Sequence, residues 1–176
     1  MTTSNCFQES SCETQNTKTV EPDSDLNFIP LIAQKFSDIL GDAVHGVSKV
    51  VLKSSISRFL ELLWQKVDLL VEECLIAEIF LQRFVSNQTE KRMQILSSLN
   101  SGMILIVVFV LAMKICRDDI HKNSYFANLF GVSIESLNKS EFGFLKMVNY
   151  QLWVDTECFS LLFDDISSQG NVQVLI

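Results

Sequence analysis

Residues 103–114 read Met-Ile-Leu-Ile-Val-Val-Phe-Val-Leu-Ala-Met-Lys, and this stretch decides the fold. Eleven apolar residues run unbroken from Met103 to Met113, and Lys114 closes them. A bilayer-spanning helix needs about 20 apolar residues, so the run is too short to cross. Arg117, Asp118 and Asp119 follow within a turn. A segment that is apolar on every side but bounded by charge reads as a helix at the centre of a helical domain.

The flanks supply the helices that would cover it. Upstream, Ile56, Phe59, Leu60, Leu63 and Val67 recur at intervals of three and four, with Arg58, Glu61 and Gln65 mostly on the other side. That spacing predicts a helix over about residues 54–67. Leu75, Ile76, Ile79, Phe80 and Phe84 predict a second over about 72–86, with the polar stretch Asn87 to Arg92 as a loop. The central helix then covers about 99–116. Downstream, a short helix over 123–130 is ended by Gly131, the residue that accepts a left-handed cap at no cost. Ser133 is a natural N-cap for a fifth helix reaching about Tyr150. Pro30 starts a short N-terminal helix carrying Leu31, Ile32, Phe36, Ile39 and Leu40, expected outside the main bundle. Asp164-Asp165 reads as a solvated turn. Residues 1–25 are rich in Ser, Thr, Asn, Gln and Glu without apolar periodicity, as expected of a disordered tail.

Composition agrees. Apolar residues make up 48% of the 176, enough for a packed core. Only 6 Gly and 2 Pro occur, both prolines within the first 30 residues, which is too little punctuation for a β-sandwich. The expected class is therefore all-α.

A net charge of −7 excludes the basic surplus that phosphate neutralisation requires, so no nucleic-acid partner is expected. Five cysteines, Cys6, Cys12, Cys74, Cys116 and Cys158, are odd in number and form no Cys-x-x-Cys pair, and the histidines are His45 and His121 alone. Neither a zinc site nor a disulfide framework is expected, and a reducing compartment, cytoplasm or nucleus, fits. Residues 1–25 show no signal-peptide pattern. No Gly-rich phosphate loop or nucleophile constellation is visible. Arg117-Asp118-Asp119 faintly echoes a kinase catalytic loop but lacks its surroundings, and an acidic loop is the plainer reading. The chain is expected to be no enzyme and to hold no cofactor.

Two charges stand in unexpected places. Leu137, Phe144, Leu145 and Val148 form the apolar stripe of the fifth helix, and Glu141 falls in its middle. Lys114 ends the otherwise uncharged central helix. A carboxylate on an apolar face is costly unless paired, so two charges of opposite sign are candidates for one site. Alternatively, Lys114 answers the dipole of its own helix C-terminus and Glu141 points to water. The residues by themselves leave both readings open.

A family resemblance bears on this choice. Ser55-Ile-Ser-Arg-Phe-Leu60, Glu73-Cys-Leu-Ile-Ala-Glu-Ile-Phe-Leu-Gln-Arg-Phe84, Leu99-Asn-Ser101, Ala112-Met-Lys-Ile-Cys-Arg-Asp-Asp119, Asn123-Ser-Tyr-Phe-Ala-Asn-Leu-Phe-Gly-Val-Ser133 and the stretch from Leu137 to Leu152 resemble, in order and spacing, the landmarks of a P-type (U-type) cyclin box over about residues 55–152. The resemblance implies a regulatory subunit that binds and activates a cyclin-dependent protein kinase, or else a helical adaptor that keeps the box without activating. It implies a five-helix box, placed over 48–165; together with the composition this divides the chain into a tail over 1–25, an N-terminal helix and linker over 26–47, the box, and a C-terminal tail over 166–176. It implies kinase contacts at Lys114 and Glu141, whose polar partners would then lie on the kinase, with apolar contacts at Leu145, Tyr150 and Leu152. Departures occur at Leu62 and Gln82, where the family usually pairs Arg with Asp between the first two helices, and at Met103, usually Arg. Loss of both members of a buried pair is tolerable, whereas loss of one is not.

Overall fold

In the computed structural model, residues 28–44 and 48–169 are described, and all seven of their regular elements are helices. They are α1 Ile29–Ala43, α2 Lys49–Val67, α3 Val71–Glu90, α4 Ser101–Cys116, α5 Asn123–Phe130, α6 Ile134–Met147 and α7 Thr156–Gln169. The all-α expectation holds, with α2 to α6 as the five predicted helices. The tail over 1–25 lies outside the described residues, as do 170–176.

Helix α4 is the centre. Every residue from Ile104 to Met113 is buried, so the helix needs no polar face. It packs on α3 and α6, while Phe36 of α1 and Phe59 of α2 reach its Phe109 at ring-centroid distances of 5.2 and 5.4 Å. No helix among the described residues is long and apolar enough to cross a membrane.

Helix α1 differs from expectation. It is not peripheral: Ile32, Ala33 and Phe36 are fully buried, and its main contact is α2. Pro30 serves in its first turn, where a missing N–H costs nothing.

Helix α3 runs a full turn beyond the predicted loop start at Asn87. Its polar residues there are structural. The Thr89 hydroxyl donates to the Val85 carbonyl at 2.9 Å, and buried Gln88 accepts from the Leu96 amide at 3.0 Å. Beyond that turn, Asn100 ties down the loop before α4, accepting from the Ser97 amide and donating to the Ile95 carbonyl.

Two caps agree with expectation. Gly131 closes α5 at φ 64°, and the Ser133 hydroxyl accepts from the Ser136 amide to start α6. Phe144 of α6 stacks on Phe84 of α3 at 5.1 Å. Helix α7 was not foreseen, since the predicted helices end near Tyr150. It lies on α3, and its Ile166 is buried in the common core, so the helix runs through the boundary placed between 165 and 166.

Candidate functional site

Lys114 and Glu141 meet. Lys114 lies in the last turn of α4 and Glu141 on the facing side of α6; Lys114 Nζ stands 2.5 Å from Glu141 Oε1. The lysine side chain is 30% exposed and the glutamate side chain 14%. The second carboxylate oxygen, Oε2, accepts from the amide of Asn123 at 2.5 Å. Asn123 opens α5, and its Nδ2 also donates to Asn138 Oδ1 at 2.8 Å. Both oxygens of a largely buried carboxylate are thus engaged, which offsets its desolvation. The expectation that both charges find their polar partners on another protein does not describe the free chain, where they satisfy each other.

From Glu141, Leu145 is one turn further along α6 on the same face, and it is half-buried. The chain then leaves α6 through Asn149 and Tyr150, both in the left-handed region at φ 54° and 57°. The Tyr150 amide returns to the Leu145 carbonyl at 2.8 Å. Such backbone is costly for residues other than Gly and must be held from outside. Helix α3 holds it. Asn87 and Lys91 both donate to the Met147 carbonyl, at 3.1 and 2.9 Å, and Lys91 also reaches Asn149 Oδ1 at 3.0 Å. The Arg83 guanidinium donates to the carbonyls of Gln151 and Trp153. Tyr150 is left 57% exposed, and Leu152 is half-buried.

The geometry shown is a paired charge bridging α4 and α6, braced by Asn123 of α5. Of the five residues singled out from the sequence, Lys114 and Glu141 meet, while Leu145 lies further along α6 and Tyr150 and Leu152 follow in the turn after it. Exposed apolar residues not singled out neighbour these five in the sequence. Trp153 is 84% exposed beside Leu152, Ile115 follows Lys114, and Phe142 follows Glu141. Trp153 carried a signal, being a large aromatic close to the polar pair Asp155-Thr156 at the start of α7. Asn123 and Arg83 carried none, because only the fold brings them to the site.

Arg117 belongs to no catalytic loop. Its Nε and one terminal nitrogen grip Glu73 at 2.5 and 2.6 Å, and it donates to the carbonyls of Val67 and Asp68 at 2.8 and 3.0 Å. The hydrogen bonds to Glu73 push the guanidinium pKa further up. Gln82, where the family usually has Asp, lies further along α3. It is exposed, donates to Glu78 one turn back at 3.1 Å, and borders a cavity with Ile39, Asp42 and Ala43 of α1. It therefore borders α1 and is bonded within its own helix.

A family model described as Cyclin matches residues 10–152. Cyclin-U2-1 of Arabidopsis thaliana is 31% identical over 103 residues, covering 56% of this chain and 45% of its own length. Cyclin-U2-2 of the same plant is 34% identical over 103 residues, 56% of this chain and 44% of its own. Cyclin-U4-1 is 25% identical over 125 residues, 71% of this chain and 59% of its own. The chain spans about half the length of the curated relatives it matches. No solved structure matches it.

Proposed function

The chain belongs to the cyclin family, and from that premise we propose that it is a P-type (U-type) cyclin, the regulatory subunit of a cyclin-dependent protein kinase. The observation that carries this reading is the Lys114–Glu141 pair, a charged contact between α4 and α6 at the two positions where the cyclin resemblance puts its polar kinase contacts. The similarity to U-type cyclins supports the subclass.

On this reading the protein acts without contributing a catalytic atom. A protein kinase works only when the Glu of its C-helix and its ATP-positioning Lys are brought together. A subunit that binds the assembled state better than the open one shifts the population toward activity, by no more than its difference in affinity for the two. Apolar contact at Leu145, Tyr150 and Leu152 supplies affinity. Lys114 and Glu141 exchange their mutual bond for bonds to the kinase main chain and fix the register. The complex works in the cytoplasm or nucleus, in cell-cycle control or phosphate signalling.

The test is co-expression with recombinant cyclin-dependent kinase catalytic subunits, reading both binding and turnover. Lys114→Ala and Glu141→Ala should each weaken binding by roughly thirtyfold to several thousandfold, the range for losing one partner of a buried charged contact. Folded variants that still activate fully would remove these residues from the interface. Wild-type binding with no rise in turnover would favour a helical adaptor that keeps the box but activates nothing.

A further inference from the structure

We infer that Asn123 is a positioning residue of the interaction site, holding the Glu141 carboxylate in the orientation a partner must meet. The inference rests on the reading of Lys114 and Glu141 as partner contacts and adds to them a residue on a third helix.

An Asn side chain has two N–H donors and one carbonyl acceptor. Both donors of Asn123 are used, one on Glu141 Oε2 at 2.5 Å and one on Asn138 Oδ1 at 2.8 Å. Its own Oδ1 is buried and has no hydrogen-bond partner. Turning the amide over would aim that oxygen at a carboxylate and at a second amide oxygen, so the two acceptors lock it one way round. An unmatched buried carbonyl is unfavourable by itself. It persists here because the opposite end of the group serves a charged acceptor, and hydrogen bonds to ions are roughly twice as strong as neutral ones.

Lys114 cannot do this alone. Its ammonium is a mobile point charge on a flexible stem, and it binds one carboxylate oxygen. If a partner draws Lys114 away, Glu141 keeps the bond to Asn123, and its freed Oε1 then points where Lys114 was. Asn123 is fixed in turn by α5, whose next apolar residues Phe126 and Ala127 are buried. The carboxylate is thus presented from a rigid support while its other bond is exchangeable.

The experiment measures affinity for a recombinant cyclin-dependent kinase catalytic subunit that binds the wild-type chain. Four variants are compared: Asn123→Asp, Asn123→Ala, Glu141→Ala and the double Asn123→Asp/Glu141→Ala. Asp keeps the shape of Asn but replaces the donor by a like charge beside Glu141, and a carboxylate is tolerated in the first turn of α5. Both Asn123 variants should bind about tenfold weaker or worse, and Asp more weakly than Ala. In the Glu141→Ala background the Asp substitution should have almost no further effect, because it acts through Glu141. Equal losses in both backgrounds would mean a general effect on the fold and would overturn the inference. Wild-type affinity for both Asn123 variants, with Glu141→Ala still impaired, would overturn it and leave the interface reading standing. Unimpaired binding by Glu141→Ala, or no kinase bound by the wild type, would remove that reading and the inference with it.

Discussion

Arg117 spends its guanidinium inward, and that decides what its replacement does. Glu73 is fully buried; besides Arg117, it accepts from the Leu70 amide at 2.9 Å, which closes the turn between α2 and α3. Arg117→Ala would leave a carboxylate in the core with a single backbone donor. Breaking such a pair from one side costs about 3–5 kcal/mol. Arg117→Lys should recover part of this, since it restores the charge but not the planar fork. Denaturant unfolding of the two variants measures both; an Arg117→Ala chain as stable as wild type would show that the clamp contributes nothing. The same comparison shows what a sequence reveals of single residues. Lys114 and Glu141 were legible because each breaks an apolar pattern, and the fold does bring them together. Glu73 broke no pattern, because carboxylates are ordinary in the first turn of a helix. Arg117 sat among charges and read as loop. The clamp joins residues 44 positions apart, and only the chain path could reveal it.

At the scale of elements, α7 shows a signal that was present and passed over. Phe159, Leu162, Phe163 and Ile166 fall at i, i+3, i+4 and i+7, the stripe of an amphipathic helix, and all four join the core or its edge. By polarity alone Asp164-Asp165 reads as a solvated turn, whereas both lie within α7 and Asp165 pairs with Lys35 of α1. Helix α5 was placed correctly because Gly131 and Ser133 punctuate the chain on either side of Val132. Polarity at the end of α3 reads as a loop, whereas Asn87 and the capping Lys91 both donate to the Met147 carbonyl at the end of α6. If α7 belongs to the core, Ile166→Ala should cost about 2 kcal/mol, the low end for Ile to Ala because a terminal helix can resettle around the gap. Leu161, 67% exposed on the same helix, is the control: its replacement by Ala should stay within about 0.5 kcal/mol. Equal effects of the two substitutions in denaturant unfolding would mean that α7 is not docked in solution as it is here.

For the molecule as a whole, one buried carboxylate ties three helices to pH. Glu78 on α3 is 2% exposed and faces Lys35 of α1 at 4.0 Å, while Lys35 is also paired to Asp165 of α7. Gln82 donates to Glu78 Oε1, and Oε2 is buried without a partner. Burial pushes the Glu78 carboxyl above the usual range; Lys35 opposes this and Asp165 adds to it. The folded state therefore holds the Glu78 proton more tightly than the unfolded chain does. By linkage, the stability this contributes is complete below the unfolded pKa, about 4.3 for a Glu, and is lost as pH rises through the higher folded value. Net charge of −7 acts in the same direction through self-repulsion, so the wild-type curve alone cannot isolate the group. Glu78→Gln can, because Gln keeps the size and cannot ionise. Across about pH 4 to 7, the stability difference between wild type and Glu78→Gln should shift steadily in favour of Gln as pH rises. Lys35 keeps Asp165 in the variant, so the α1–α7 link persists and the comparison reports on Glu78. A difference that stays flat over this range, or turns toward wild type, would mean that Lys35 outweighs burial and that Glu78 is a well-satisfied ion in the folded chain.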